Sequence, residues 1–219
     1  MMKYTHVLFD LDGTLTDPGD GITNSVMYAL NKLGIEERDR TKLYKFIGPP
    51  LANSFKEFYG FSDEKAWQGV ELYREYFGVK GLFENRVYDG MYDLLDTLKE
   101  EGVRLYVATS KPTHYTLQIL EKFNLSQYFD LVSGCAMNEK NSDKSAIIQY
   151  AVDTCSIPCD KAIMVGDRLY DIKGAKVNNI DSVGVLFGYG SKEELMGEGA
   201  TYIAETPEDI LKIARGDWL

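Results

Sequence analysis

The chain has 219 residues, 44% of them hydrophobic and 26% charged, with 34 acidic against 24 basic side chains and a formal net charge of -10. That length and composition fit one generous domain, or a core with a smaller inserted module, and argue against a disordered chain. The acidic balance speaks against a nucleic-acid backbone or an anionic membrane as the main partner, and no apolar run approaches the roughly 20 residues of a spanning helix.

Lys3 to Phe9 reads as a short buried strand ending in Val7, Leu8 and Phe9. From Asp20 to about Leu82 the pattern is helical throughout. Ile22, Val26, Ala29, Leu30 and Leu33 share one face up to Gly34, a second helix spans Arg40 to Phe46, and a third spans Leu51 to Tyr59. Pro49 and Pro50 break the pattern between these two, and Ser62 is placed to cap a fourth helix bearing Ala66, Val70, Tyr73 and Phe77. Helices and strands then alternate. Met91 to Glu101 is helical, Val103 to Thr109 a strand, Thr113 to Phe123 helical and Leu131 to Ser133 a short strand. Asp143 to Cys155 is helical, Ala162 to Val165 a strand, Tyr170 to Val177 helical and Ser182 to Leu186 a strand, with short elements at Thr201 to Ile203 and Pro207 to Ile213. This alternation predicts an α/β fold, a doubly wound parallel sheet with right-handed crossovers and a small helical module inserted after the first strand. The expected division is residues 1–16 and 86–219 for the core and 17–85 for the helical cap. The N-terminus enters a strand without a signal-peptide pattern, which points to the cytoplasm, and Cys135, Cys155 and Cys159 read as reduced thiols.

In such sheets ligands bind beyond the carboxyl ends of the strands, and four chemistry-bearing strings fall there. The first is Asp10-Leu11-Asp12-Gly13-Thr14. Asp10 and Asp12 are two positions apart, so an extended backbone points both carboxylates to one side. At about 4 Å and an effective dielectric near 20 such a pair repels by about 4 kcal/mol, so something positive is expected between them. Gly13 permits a sharp turn whose N–H groups would face an anion, and Thr14 adds a hydroxyl donor. Nucleophile, proton carrier and donors together suit phosphoryl transfer.

The second string, Thr109-Ser110-Lys111-Pro112, places the Ser110 hydroxyl and backbone donors at a helix start, where it serves an anion or merely caps the helix. The third carries Lys144 in the first turn of a helix capped by Ser142 or Asp143. A lysine there opposes the macrodipole and so implies a local anion, with Lys140 as a rival. In the fourth, Gly166-Asp167-Arg168-Leu169-Tyr170-Asp171, Asp167 sits at the strand end and Asp171 one turn later. With Asp10 and Asp12 these form a hard oxygen environment suited to Mg²⁺.

These four strings, in this order and over essentially the whole chain, resemble the haloacid dehalogenase superfamily of phosphatases. The placement of the helical insertion resembles the phosphoglycolate-phosphatase-like group. Phe46-Ile47-Gly48-Pro49-Pro50-Leu51, Gly81-Leu82-Phe83-Glu84-Asn85 and Gly188-Tyr189-Gly190-Ser191 further resemble its bacterial 5′-nucleotidase-like branch. The resemblance implies Asp10 as nucleophile and Asp12 as general acid and base. It implies Mg²⁺ on Asp10, the Asp12 carbonyl and Asp167, with Asp171 in support, and phosphate oxygens on Thr14, Ser110 and Lys144. It also implies a cap that closes over the site, with Gly48, Pro49 and Pro50 selecting substrate and Lys111, Arg168 and Tyr189 as lesser contacts. Retention of Asp12 favours a leaving alkoxide over a halide. The implied partner is a small phosphorylated metabolite, met by a monomer or weak homo-oligomer, and the alternative activity is a sugar-phosphate mutase of the β-phosphoglucomutase kind on the same fold.

Overall fold

The computed structural model describes residues 2–137 and 143–218. In chain order the strands are β1 (His6–Phe9), β2 (Thr16–Asp17), β3 (Arg86–Val87), β4 (Arg104–Pro112), β5 (Leu131–Cys135), β6 (Ala162–Gly166), β7 (Asp181–Val185) and β8 (Tyr202–Ala204). The helices are α1 (Gly19–Lys32), α2 (Leu51–Tyr59), α3 (Asp63–Tyr76), α4 (Met91–Glu100), α5 (Thr113–Lys122), α6 (Lys144–Cys155), α7 (Leu169–Val177), α8 (Lys192–Glu198) and α9 (Pro207–Arg215). The described chain forms two compact units, one of residues 2–17, 87–137 and 143–218, the other of residues 18–86.

The first unit is built on a six-stranded sheet in the order β5-β4-β1-β6-β7-β8, parallel at every pairing. Val7, Leu8 and Phe9, Leu105 to Ala108 and Ile163 to Val165 are all buried, so neither face of the central strands meets water. Helices on both faces are what such continuous apolar strands require. Leu8, Tyr106, Ala108 and Met164 share one face and pack with Ile147, Ile148 and Ala151 of α6 and Ala175 of α7. From β1 the chain steps to β4 and β5 on one side, then returns to β6 on the other. The carboxyl ends of β1 and β6 therefore flank the point where the winding reverses, the crevice in which open α/β sheets bind ligands.

Strand β4 runs to Pro112, past the expected end at Thr109, and its register against β5 shifts between Ala108 and Pro112. Ser110 and Lys111 thus lie in an irregular strand end, a feature that re-aims side chains. Strands β2 and β3 pair as a separate two-residue ribbon, too short to leave a sequence pattern.

The second unit is helical, as its periodicity predicts, with two departures. Arg40–Phe46 is a 3₁₀ helix capped by Asp39, and α3, capped by Ser62, runs on into a π-helical turn at Phe77–Gly81. In its core Phe46 meets Phe55 edge to face at 5.1 Å between ring centroids, and Phe55 stacks on Phe61 at 5.7 Å and Tyr73 on Phe77 at 5.1 Å. Gly21 of α1 lies so close to the π turn that a Cβ there would fall 2.0 Å from the Gly81 carbonyl oxygen, and its N–H donates to the Glu84 carbonyl at 2.9 Å. Backbone cannot yield as a flexible side chain can. Gly21→Ala is therefore expected to destabilise the protein by about 1–3 kcal/mol, read as a fall in the thermal midpoint; an unchanged midpoint would contradict this packing.

Candidate active site

Asp10 continues β1 by one residue, and its N–H donates to the Val165 carbonyl of β6 at 2.9 Å, which fixes it beside the end of that strand. Its side chain is buried. The Leu11 N–H donates to Asp10 Oδ1 at 2.8 Å and Lys144 Nζ reaches the same oxygen at 2.9 Å. The loop that follows closes on itself: Gly13 N–H donates to Thr16 O at 2.8 Å, and the Leu15 and Thr16 N–H groups both donate to Leu11 O at 3.0 Å. The expectation that the N–H groups of this turn would face an anion is corrected for Gly13, Leu15 and Thr16, whose donors the turn consumes internally. Gly13 is needed for a different reason. Its φ is +82°, and a Cβ would lie 2.2 Å from Asp167 Oδ2.

Lys144 occupies the first turn of α6, whose cap is Asp143, accepting from Ser145 N–H at 2.9 Å. Ser142 and Lys140 lie outside the described residues. The anion implied by the position of Lys144 is a pair of carboxylates. Its buried ammonium forms ion pairs with Asp10 Oδ1 at 2.9 Å and Asp171 Oδ1 at 2.8 Å and donates to the Ala108 carbonyl at 3.0 Å. Asp171 is buried in the first turn of α7 and accepts the Arg168 N–H on Oδ2 at 3.1 Å. Asp10, Asp167 and Asp171 each offer a carboxylate oxygen to a cluster no more than 4.8 Å across.

Lys111, at the irregular end of β4, turns its ammonium onto Asp12 Oδ2 at 2.5 Å. Ser110 lies beside it on the strand next to β1, and its carbonyl accepts the Cys135 thiol at 3.0 Å. Arg168 is directed elsewhere: its Nε donates to Glu194 Oε1 of α8 at 2.9 Å, an oxygen that also accepts the Leu169 N–H at 2.8 Å. The Tyr189 hydroxyl donates to Asp17. Gly48, Pro49 and Pro50 belong to the helical unit, between the 3₁₀ helix and α2, where Gly48 takes a φ of +101°.

Four buried polar atoms of this site have no hydrogen-bond partner: Asp12 Oδ1, Thr14 Oγ1, Asp167 Oδ1 and Asp171 Oδ1, the last of which is met by Lys144 as an ion pair. Orphaned oxygens at such a depth call for a ligand. Burial pushes the Asp167 carboxyl well above its usual range, helped by the charges of Asp171 and Asp10 and opposed by the Tyr189 N–H. Burial likewise raises Asp171 to about 6 against the pull of Lys144, and raises Asp12 against the pull of Lys111. Lys144 is raised despite burial, because Asp10 and Asp171 hold its proton. Four carboxyls face two ammonium groups, an excess that one divalent cation would cancel. The all-oxygen donor set and the orphaned Asp167 Oδ1 fit a hard cation such as Mg²⁺.

Residues 7–185 match the family described as haloacid dehalogenase-like hydrolase. The chain belongs to that family. A 5′-nucleotidase of Pseudomonas aeruginosa is 43% identical to this haloacid dehalogenase-like chain over 201 residues, 92% of this chain and 91% of that protein. The tyrosine-protein kinase PtkA of Mycobacterium tuberculosis is 35% identical over 211 residues, 96% of this chain and 72% of that one. The crystal structure of a predicted phosphatase from Clostridium acetobutylicum superposes with a TM-score of 0.92 at 51% identity, covering 96% of this chain and 97% of the other. Among the haloacid dehalogenase-like hydrolases this chain is a phosphatase, a phosphoric monoester hydrolase. Among the described residues no helix is long and apolar enough to cross a membrane.

The sequence pointed to the segment after β7 only by resemblance, with Tyr189 as a lesser substrate contact, and its hold on Asp167 went unread. Tyr189 N–H donates to Asp167 Oδ2 at 2.8 Å, and Glu194 holds the two residues that follow Asp167. The signal for that hold lay in the pair of glycines around Tyr189, where a Cβ at Gly188 would lie 2.4 Å from the Asp167 Cβ and one at Gly190 would lie 1.9 Å from the Asp167 carbonyl oxygen.

Asp12, Asp167 and Asp171 bind protons more tightly in the folded chain than in the unfolded one. The stability that Asp171 contributes to the cation-free protein is therefore full below about pH 4 and is lost as pH rises through about 6, and Asp12 and Asp167 act in the same direction. The thermal midpoint measured in a chelator should fall between pH 5 and pH 7, and a divalent cation should lift it most at the upper end. A flat profile in this window would contradict the buried charge excess.

Proposed function

We propose that the chain hydrolyses phosphate monoesters of small metabolites in a Mg²⁺-dependent reaction, with Asp10 as nucleophile and Asp12 as proton carrier. The observation that carries this reading is the one-sided tethering of Asp10. Both the Leu11 N–H and the Lys144 ammonium fall on Oδ1, which leaves Oδ2 as the oxygen to attack phosphorus. As that bond forms, the bond from phosphorus to the ester oxygen breaks, and Asp12 gives its proton to the leaving alkoxide. Burial of Asp12, by raising its proton affinity, favours the form that this step needs. Asp12 then takes a proton from water, whose oxygen attacks the aspartyl-phosphate and frees both Asp10 and inorganic phosphate.

Mg²⁺, held by Asp10, the main-chain carbonyl of Asp12 and Asp167, supplies positive charge against the phosphoryl oxygens. Asp171 supports from behind, since its Oδ1 meets Lys144 and its Oδ2 accepts the Arg168 N–H. Thr14, whose buried hydroxyl lacks a partner, and Ser110 donate to phosphate oxygens. Lys144 contributes its charge at short range, through its ion pairs with Asp10 and Asp171. Nucleoside 5′-monophosphates are the substrate class favoured by the Pseudomonas relative, with phosphoglycolate next.

Release of inorganic phosphate from a panel of nucleotides, phosphoglycolate and sugar phosphates tests this reading. Mg²⁺-dependent release is expected, falling at least about 10³-fold in Asp10→Asn. Asp12→Asn should impair alkyl phosphates far more than an aryl phosphate, whose leaving group needs little protonation. Full turnover by Asp10→Asn would overturn the assignment, and interconversion of sugar phosphates without release would indicate a mutase instead.

A further inference from the structure

We propose that Tyr189 is a positioning residue for the cation site. Its N–H sets which oxygen of Asp167 faces the ion, and its hydroxyl, bound to Asp17, holds that N–H in place. This inference rests on the cation-dependent reading above and extends it to residues that touch neither ion nor substrate.

Asp167 uses its two oxygens differently. Oδ2 accepts the Tyr189 N–H at 2.8 Å, whereas Oδ1 is buried and without a partner. Rotation of the carboxylate would exchange them, and a fixed donor is what prevents it. The donor belongs to a loop whose backbone lies directly on Asp167, with no side chain between. A Cβ at Gly188 would fall 2.3 Å from the Gly13 carbonyl oxygen and 2.4 Å from the Asp167 Cβ, and one at Gly190 would fall 1.9 Å from the Asp167 carbonyl oxygen.

The loop is anchored on several sides. Leu186 N–H donates to Ala204 O at 2.9 Å, the Phe187 ring sits 5.0 Å from that of Tyr88, and Ser191 Oγ accepts the Glu194 N–H at 3.1 Å. These contacts fix the loop to β8, to the segment after β3 and to α8. The Tyr189 hydroxyl instead reaches Asp17 of β2, directly beyond the loop that carries Asp10, Asp12 and Gly13. With Gly13 already packed on Asp167, the contact closes a ring. Asp17 leads back along the chain to Gly13, Gly13 abuts Asp167, Asp167 accepts from Tyr189, and Tyr189 returns to Asp17. The separation between the first and the last acidic strings is thereby set by protein contacts, so the ion meets a site already arranged.

Mg²⁺ titration by calorimetry on the full chain, with thermal midpoints in a chelator measured alongside, tests the proposal. Tyr189→Phe keeps the N–H and the ring and removes only the hydroxyl, and Asp17→Asn alters the other end. Each is expected to weaken Mg²⁺ binding about 10-fold or more. The double variant is expected to be no weaker than either single one, as for two ends of one contact. A lowered midpoint with unchanged Mg²⁺ affinity would show a purely structural tie and overturn the proposal, as would additive losses in the double variant. Absence of Mg²⁺ binding by the unaltered protein would overturn the parent reading as well, which separates the two failures.

Discussion

The site depends on one ammonium. Lys144 sits where the strand ends converge, its Nζ within 3.0 Å of Asp10 Oδ1, Asp171 Oδ1 and the Ala108 carbonyl. Without it, Asp10, Asp167 and Asp171 would share one buried pocket with nothing positive among them, and each close pair would cost about 4 kcal/mol even at an effective dielectric near 20. Lys144 relieves two of the three carboxylates and leaves the third, Asp167, to be met from outside the protein. Lys111 does for Asp12 what Lys144 does for Asp10. The residual imbalance is the chemical reason to expect a divalent cation.

The sheet brings these groups together by topology. Asp10 and Asp167 extend β1 and β6, hydrogen-bonded neighbours at the point where the winding reverses, and Ser110 and Lys111 lie in the irregular end of β4 on the other side of β1. Lys144 and Asp171 come from the first turns of α6 and α7, which pack against each other under the same strand ends. Residues more than 150 positions apart meet because parallel strands all end on one side.

That convergence was legible in the sequence because each string lies next to a strand or helix start that its own local pattern announces. The placement of Lys144 against the macrodipole foretold nearby anions, although these proved to be carboxylates of the protein. The ladder of internal bonds in the loop of residues 11–16 was not legible, since backbone donors leave no trace in side-chain identity, and the anion-facing role expected of that turn's N–H groups fails at Gly13, Leu15 and Thr16 for that reason. The pairing of Lys111 with Asp12 joins residues 99 positions apart through an irregular strand end, where period-two reasoning fails. The Tyr189 loop has no periodicity, and its glycines take their meaning from Asp167, a partner visible only in three dimensions. The π turn at Phe77–Gly81 keeps helical spacing of its apolar residues and so reads as ordinary helix; its glycine neighbour, Gly21, lies 60 residues earlier.

The central claim is that the buried carboxylates of β1 and β6 form a place for one hard cation. Anomalous scattering from crystals soaked in Mn²⁺, a close substitute for Mg²⁺ at oxygen ligands, tests it most directly. The account predicts a single strong peak between the side chains of Asp10 and Asp167. A peak elsewhere on the protein, or none at a concentration that supports hydrolysis, would contradict it.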